Sequence, residues 1–215
     1  MPRVDDYSTA ADMAREELWK REPGEVAESA GARLFDGASG KTCLELVFLG
    51  RVYIATWEIL LFENRQTGKA ATLQEQVLIL HYLQGAGGSA VTGKWISYQE
   101  IPDGRFYMDA FTRRAKDPLV RTFGDRPELL AELSTQIYGA APFEHGDVSV
   151  AFDAFPFVPI ALIMWKGDEE FPPEGNILFD ESVSEVLSAE DIAWLAGMAV
   201  YPLIGRAANS VDGKK

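Results

Sequence analysis

Val158–Trp165 is an unbroken apolar run of the length of one strand. Such a strand is stable only where both of its faces are covered. Just upstream, Val148, Val150 and Phe152 alternate with polar or small neighbours, so the two segments are expected to form a buried hairpin. A chain of 215 residues, 47% apolar and 25% charged, can supply the cover. At that length roughly 70% of the unfolded surface is buried on folding, and the composition lies far from that of disordered chains.

The remaining patterns predict helices around further antiparallel strands. An amphipathic helix is expected from about Thr9 to Lys20, capped by Ser8, followed by a break at Pro23-Gly24 and a short helix near Glu25–Ala30. Cys43–Phe48, a Leu49-Gly50 turn, Arg51–Ala55 and Trp57–Phe62 read as a meander. Thr72-Leu-Gln-Glu75 is a capping box opening a helix through Gln84 that has little polar face and is stopped by Gly85, Gly87 and Gly88. A short strand within Gly93–Ile101, helices over Arg105–Lys116 and from Asp125-Arg-Pro127 to Gly139, and a last helix over Ala189–Val200 complete the pattern. The expected fold is α+β, a single domain with an antiparallel sheet packed against several helices. Residues 1–40 form a helical segment packed on it, 41–205 the core, and 206–215 a disordered tail. No repeat or long linker divides the chain.

Charge narrows the partners. The 33 acidic and 20 basic side chains leave a formal net charge of −13, a field that repels nucleic acid and anionic lipid. The single cysteine, Cys43, excludes an internal disulfide and a protein-only Cys₄ or Cys₂His₂ site. With no secretory signal pattern and no segment apolar and long enough to span a bilayer, a cytoplasmic location is expected.

Phosphate-loop, dinucleotide and nucleophile-elbow motifs are not found, so candidate chemistry rests on three constellations. His81 and His145 are the two histidines. His81, in the apolar helix, is either a satisfied core histidine or a ligand to a metal or tetrapyrrole, whereas His145 lies in a loop and reads as exposed. Asp168, Glu169 and Glu170 leave the end of the apolar strand and, with Asp180, offer hard oxygen ligands for a divalent metal or carboxylates for proton transfer. The plain alternative is a solvated acidic loop. Lys94, Trp95, Tyr98, Arg105, Tyr107, Arg113 and Arg114 form a basic and aromatic set suited to the carboxylates and rings of an organic ligand, or to surface ion pairs and core rings.

The segments Leu78-Ile-Leu-His81-Tyr82-Leu83, Thr92-Gly93-Lys94-Trp95-Ile96-Ser97 with Pro102-Asp-Gly104 and Tyr107, and Trp165-Lys-Gly167-Asp168-Glu169-Glu170-Phe171-Pro172 with Ile177-Leu178-Phe179-Asp180 resemble the family called domain of unknown function 3786 over about residues 20–200. The resemblance implies a cofactor-associated role in anaerobic bacteria and archaea, beside an iron–sulfur or corrinoid protein as partner. It names no reaction.

Three functions are compatible with these patterns. The leading expectation is a binding or accessory protein of anaerobic metabolism holding a small-molecule cofactor, a corrinoid or another haem-type tetrapyrrole. Trp57, Trp95 and Trp165 would stack on it, Lys94 and Arg105 would meet its acidic substituents, His81 would be the axial ligand, and Tyr107 is a further cofactor-binding candidate. The second is a metal-assisted enzyme acting on a small anionic substrate through Asp168, Glu169, Glu170 and Asp180. The third is a docking module that offers its acidic face to a redox or methyltransferase partner.

Overall fold

A computed structural model describes residues 4–37, 40–87 and 90–212. The expected α+β domain is present, with its strands in two antiparallel sheets rather than one. The chain divides into two compact units, each with its own sheet.

The first unit comprises Met1–Ala90 with Phe155–Phe157 and Glu185–Leu187. Helices α1 (Val4–Leu18) and α2 (Pro23–Ser29) lead into β1 (Arg33–Asp36), β2 (Thr42–Phe48), β3 (Arg51–Thr56), β4 (Glu63–Asn64) and α3 (Leu73–Gly85). Strand order follows chain order. Helix α1 starts before Ser8, so Ser8 lies within the helix instead of capping it, and β1 puts a strand inside the segment expected to be helical. The turn between β2 and β3 holds Leu49 at φ 46° and Gly50 at φ 70°, the left-handed pair that matches the twist of a tight hairpin.

Trp57–Phe62 is not a third meander strand. Ile59 and Leu60 both donate backbone hydrogen bonds to Thr56 O, and Leu60 is left-handed at φ 50°, so the chain turns before β4.

The capping box of α3 is formed: Thr72 N–H donates to Glu75 Oε2 at 2.7 Å and Glu75 N–H to Thr72 Oγ1 at 3.3 Å. Val77, Leu78, Ile79, Leu80, Tyr82 and Leu83 are all buried. Gln76 is buried with them and its amide pairs with both backbone groups of Phe62, accepting from N–H at 3.0 Å and donating to O at 2.8 Å. A buried amide costs little once both of its ends are satisfied. Phe48, Phe155 and Tyr82 stack in series with centroids 4.5 and 4.1 Å apart, and Tyr82 Oη donates to Ala30 O at 2.9 Å.

Helix α3 ends at Gly85, but the glycine serves packing rather than a left-handed stop. The cap residue Ala86 is extended, and a Cβ on Gly85 would lie 2.0 Å from Val186 O. Gly87 is unconfined, and Gly88 lies outside the described residues.

The second unit comprises Val91–Ala154, Val158–Ser184 and Ser188–Lys215. It runs β5 (Trp95–Ser97), α4 (Gly104–Phe111), α5 (Asp117–Phe123), α6 (Pro127–Tyr138), β6 (Ala141–Pro142), β7 (Val148–Phe155, its last residue counted in the first unit), β8 (Val158–Trp165), β9 (Glu174–Asp180), α7 (Val183–Val186, its last two residues counted in the first unit) and α8 (Ala189–Asp212), in sheet order β5-β9-β8-β7-β6. A π-helical turn over Thr112–Lys116 joins α4 to α5. β7 and β8 are neighbours and every residue of Ile160–Met164 is buried. Strand β9 covers the other side of β8.

Ile96 is register partner to Phe179, and Phe179 to Ile160, so these side chains share a face of the sheet. On that face Phe179 meets Tyr98 and Phe111, which stack on each other at 4.2 Å. The last helix does not stop before Pro202. It continues to Asp212 with Leu203 and Ala207 fully buried, so residues 206–212 are helical rather than a disordered tail; residues 213–215 lie outside the described residues. Apolar contact outweighs the one backbone hydrogen bond a helical proline removes. Among the described residues no helix is long and apolar enough to cross a membrane.

Gly85→Ala is expected to destabilise the protein by at least about 1–3 kcal/mol through overpacking against the Val186 backbone. Gly87→Ala should change stability by less than about 0.5 kcal/mol. Urea unfolding of the two variants beside the parent checks the contrast.

Candidate functional site

Strand β8 ends at Trp165, whose register partner is Glu174, the first residue of β9. The connection over residues 166–173 therefore starts and finishes at one point of the sheet edge. Inside it, Asp168 N–H donates to Phe171 O at 2.9 Å, and Asp168 Oδ1 accepts from the N–H groups of Glu170 and Phe171, both at 2.8 Å. Those donors, Phe171 first and Glu170 second, hold the Asp168 carboxyl below the usual carboxylate range. A Cβ on Gly167 would lie 2.7 Å from Pro173 N and 3.0 Å from Phe171 O, so the loop closes only around a glycine there.

Two contacts tie this loop down. Lys166 N–H donates to Asp147 Oδ2 at 2.7 Å, and Lys166 Nζ pairs with Glu128 Oε1 in the first turn of α6 at 2.5 Å. Pro173 presses on Gly124, where a Cβ would lie 2.7 Å from its Cγ. Between loop and helices lies a cleft of about 520 Å³, walled by Gly124, Asp125, Pro127 and Glu128 on one side and by residues 166–173 on the other. Glu169 and Glu170 are exposed at its lip, and Phe171 between that pair and Pro172 is 66% exposed. Five carboxylates and one lysine line it, so the field inside is negative.

Asp180 is not part of this cleft. It sits six residues beyond Glu174 at the far end of β9, about 20 Å away at a strand's rise per residue. It is fully buried, and its oxygens accept from Thr92 N–H at 3.1 Å, Thr92 Oγ1 at 3.1 and 3.2 Å, Gly93 N–H at 2.6 Å, Ser182 N–H at 3.1 Å and Ser182 Oγ at 2.6 Å. Burial alone would raise its pKa, but the donors from Ser182, Thr92 and Gly93 outweigh it and hold the group ionised below the usual range. Asp180 thus clamps the segment before β5 onto the end of β9. The four-carboxylate metal set of Asp168, Glu169, Glu170 and Asp180 is corrected accordingly, and among the described residues no group of three or more histidine, cysteine, aspartate or glutamate side chains is placed to hold a metal ion.

The residues expected around a tetrapyrrole lie in both units, and those of the second unit are not brought together within it. Trp95 is register partner to Asp180 and Trp165 to Glu174, so these two rings stand at opposite ends of β9 and cannot wall one pocket. Trp95 meets Phe143 edge-on at 4.9 Å, and Phe143 stacks on the exposed His145 at 4.9 Å. Lys94 is exposed and paired with Glu181, whose carboxylate raises its pKa. Arg105 and Tyr107 lie in the first turn of α4, the tyrosine raised mainly by the charge of Glu190. Tyr98 belongs to the core, its hydroxyl donating to Ala189 O at 2.7 Å. Arg114 lies over the Trp194 ring, 4.3 Å from its centroid. His81, half-buried on α3, and Trp57, whose carbonyl accepts from Trp19 Nε1 at 2.8 Å, belong to the first unit, while Lys94, Trp95, Arg105, Tyr107 and Trp165 belong to the second.

Sequence reasoning singled out the acidic residues of the cleft but missed Gly124, Asp125, Glu128 and Lys166, which give it walls. Gly124-Asp125 ahead of Pro127, and Gly167 ahead of Pro172-Pro173, were the available signals of a tight junction. Residues 22–201 match the family described as Domain of unknown function (DUF3786). Comparison with curated proteins and with solved structures finds no match.

Asp180→Asn is expected to cost about 2–3 kcal/mol at neutral pH, because a charged acceptor of several buried donors is replaced by a neutral one. Its folded pKa is depressed, so its contribution is complete above the unfolded value of about 4 and is lost as pH falls through the lower folded value. Urea titrations of parent and variant should show a gap at pH 7 that narrows only well into acid; a gap that widens there would contradict the clamp.

Proposed function

The chain belongs to the DUF3786 family, whose description assigns no activity, and from its own geometry we propose that it is an accessory protein that docks a basic segment of a partner protein in the cleft beside residues 166–173. The observation that carries this reading is the exposed Phe171, adjoining Glu169 and Glu170, on a loop whose backbone is fixed by Asp168 and by the contact of Gly167 with Pro173. Aromatic anchors ringed by polar groups carry a disproportionate share of binding energy at protein interfaces. A loop already fixed in shape loses little conformational entropy on binding. The surrounding carboxylates add attraction at a distance and orient a cationic partner.

A chain segment with lysine or arginine flanking an apolar side chain fits this arrangement. Its apolar group would cover Phe171 and the Pro172-Pro173 edge, while its cations would meet Asp125, Glu169 and Glu170. Glu128 is already engaged by Lys166 and serves to hold the loop.

The test is an amide-resonance titration of the whole chain with a synthetic Lys-Arg-Leu-Lys-Arg peptide. Shifts are expected on residues 166–173 and on Asp125, with affinity falling severalfold between 50 and 300 mM salt. Phe171→Ala should weaken binding about tenfold, equivalent to about 1.4 kcal/mol. Shifts spread evenly over the surface, or unchanged affinity in a Glu169→Gln/Glu170→Gln/Phe171→Ala variant, would overturn the proposal.

A further inference from the structure

The turn at Trp57–Phe62 in the first unit presents alternate side chains to the core and to solvent. Leu60 and Phe62 point inward and are fully buried, while Ile59 and Leu61 are 46% and 57% exposed. Leu60 holds a left-handed backbone, which costs a side chain of its kind about 1–2 kcal/mol. Helix α1 fixes the turn at two points: Arg15 Nε donates to Leu60 O at 3.2 Å and Trp19 Nε1 to Trp57 O at 2.8 Å. The Trp19 ring stays 45% exposed beside the turn. Trp19, Ile59 and Leu61 therefore form an apolar surface held in place from beneath, with its strain carried by the residue between the two exposed side chains.

Exposed carboxylates border it. Glu16, one turn before Trp19 on α1, Glu58 beside Ile59, and Glu63 two residues after Leu61 are all exposed. Of the cations near it, Lys20 pairs with Glu17, Arg15 with Asp12 and Arg65 with Glu45, while Lys69 is exposed across the hairpin from Asn64, so the three glutamates outnumber it. A second copy of this chain would place Glu16, Glu58 and Glu63 against their own images, in a molecule of net charge −13. An anionic bilayer would be repelled in the same way.

We propose that Trp19, Ile59 and Leu61 form a second docking surface, one that takes an amphipathic helical segment of a basic partner protein. The apolar stripe of such a helix covers the three side chains, and lysines or arginines flanking the stripe meet Glu16, Glu58 and Glu63. This surface lies wholly within the first unit and does not depend on the cleft of the second.

The experiment is a titration of the full chain with a synthetic eighteen-residue helix of leucines and lysines at helical spacing, followed through the Trp19 indole resonance and the amides of Ile59 and Leu61. Saturable shifts are expected there, with affinity reduced about tenfold in Ile59→Ser/Leu61→Ser and severalfold in Glu58→Lys. The Glu58→Lys change lies on an exposed side chain and keeps the test valid should the double variant not fold. Shifts confined to residues 166–173 would overturn this surface and leave the cleft standing; shifts at Trp19 without any at 166–173 would do the reverse. Unchanged affinity in both variants, concentration-dependent dimers abolished by Ile59→Ser/Leu61→Ser, or equal binding to neutral phosphatidylcholine vesicles would each overturn the basic helix as occupant.

Discussion

The antiparallel register of β8 and β9 decides which residues of the second unit can act together. Pairing Trp165 with Glu174 and Ile160 with Phe179 fixes one end of the strand pair as the place where the acidic loop leaves the sheet. The other end is where Asp180 receives the segment before β5. With about 3.3 Å of rise per residue, nothing short of breaking the ladder could merge the two ends. Residues that look like one constellation along the chain are thereby sorted into a clamp and a cleft, and each has a different relation to water.

The clamp shows what burial does to a carboxylate. Desolvation disfavours the ionised form, and only the donors from Thr92, Gly93 and Ser182 reverse that tendency at Asp180. Its oxygens are occupied by the protein's own groups, so its charge is used in holding β5 to β9. Gln76 is used in the same way by Phe62, Tyr82 by Ala30 and Tyr98 by Ala189. Each of these groups gives the fold specificity because leaving it unpaired would cost more than the bond itself contributes.

Local patterns made much of the fold legible. The Thr72–Glu75 box, the Leu49-Gly50 turn, the apolar run of β8 and Gly139 after α6 are signals spanning a few residues, and each forms where its pattern lies. Strand β9 is not expected from the sequence, although Gly175, Ile177 and Phe179 alternate as buried positions, because Pro172-Pro173 and Gly175-Asn176 at its start are turn-forming residues. The end of α8 was misplaced because a proline is a local stop signal, whereas the burial of Leu203 and Ala207 is a tertiary fact. For the cleft, the exposed acids were visible in sequence but its opposite wall was not: Gly124, Asp125 and Glu128 lie some forty positions upstream, and only packing brings them to the loop.

The carboxylates that remain exposed have a different use from the buried ones. Glu169 and Glu170 in one unit, and Glu16, Glu58 and Glu63 in the other, are exposed to solvent. Their field reaches about 8–10 Å at ordinary salt, enough to orient an approaching cation before any contact is made. What converts attraction into a defined geometry is the rigid apolar centre beside each group: Phe171 on a loop tied by Asp168 and Lys166, and Ile59 and Leu61 on a turn tied by Arg15 and Trp19.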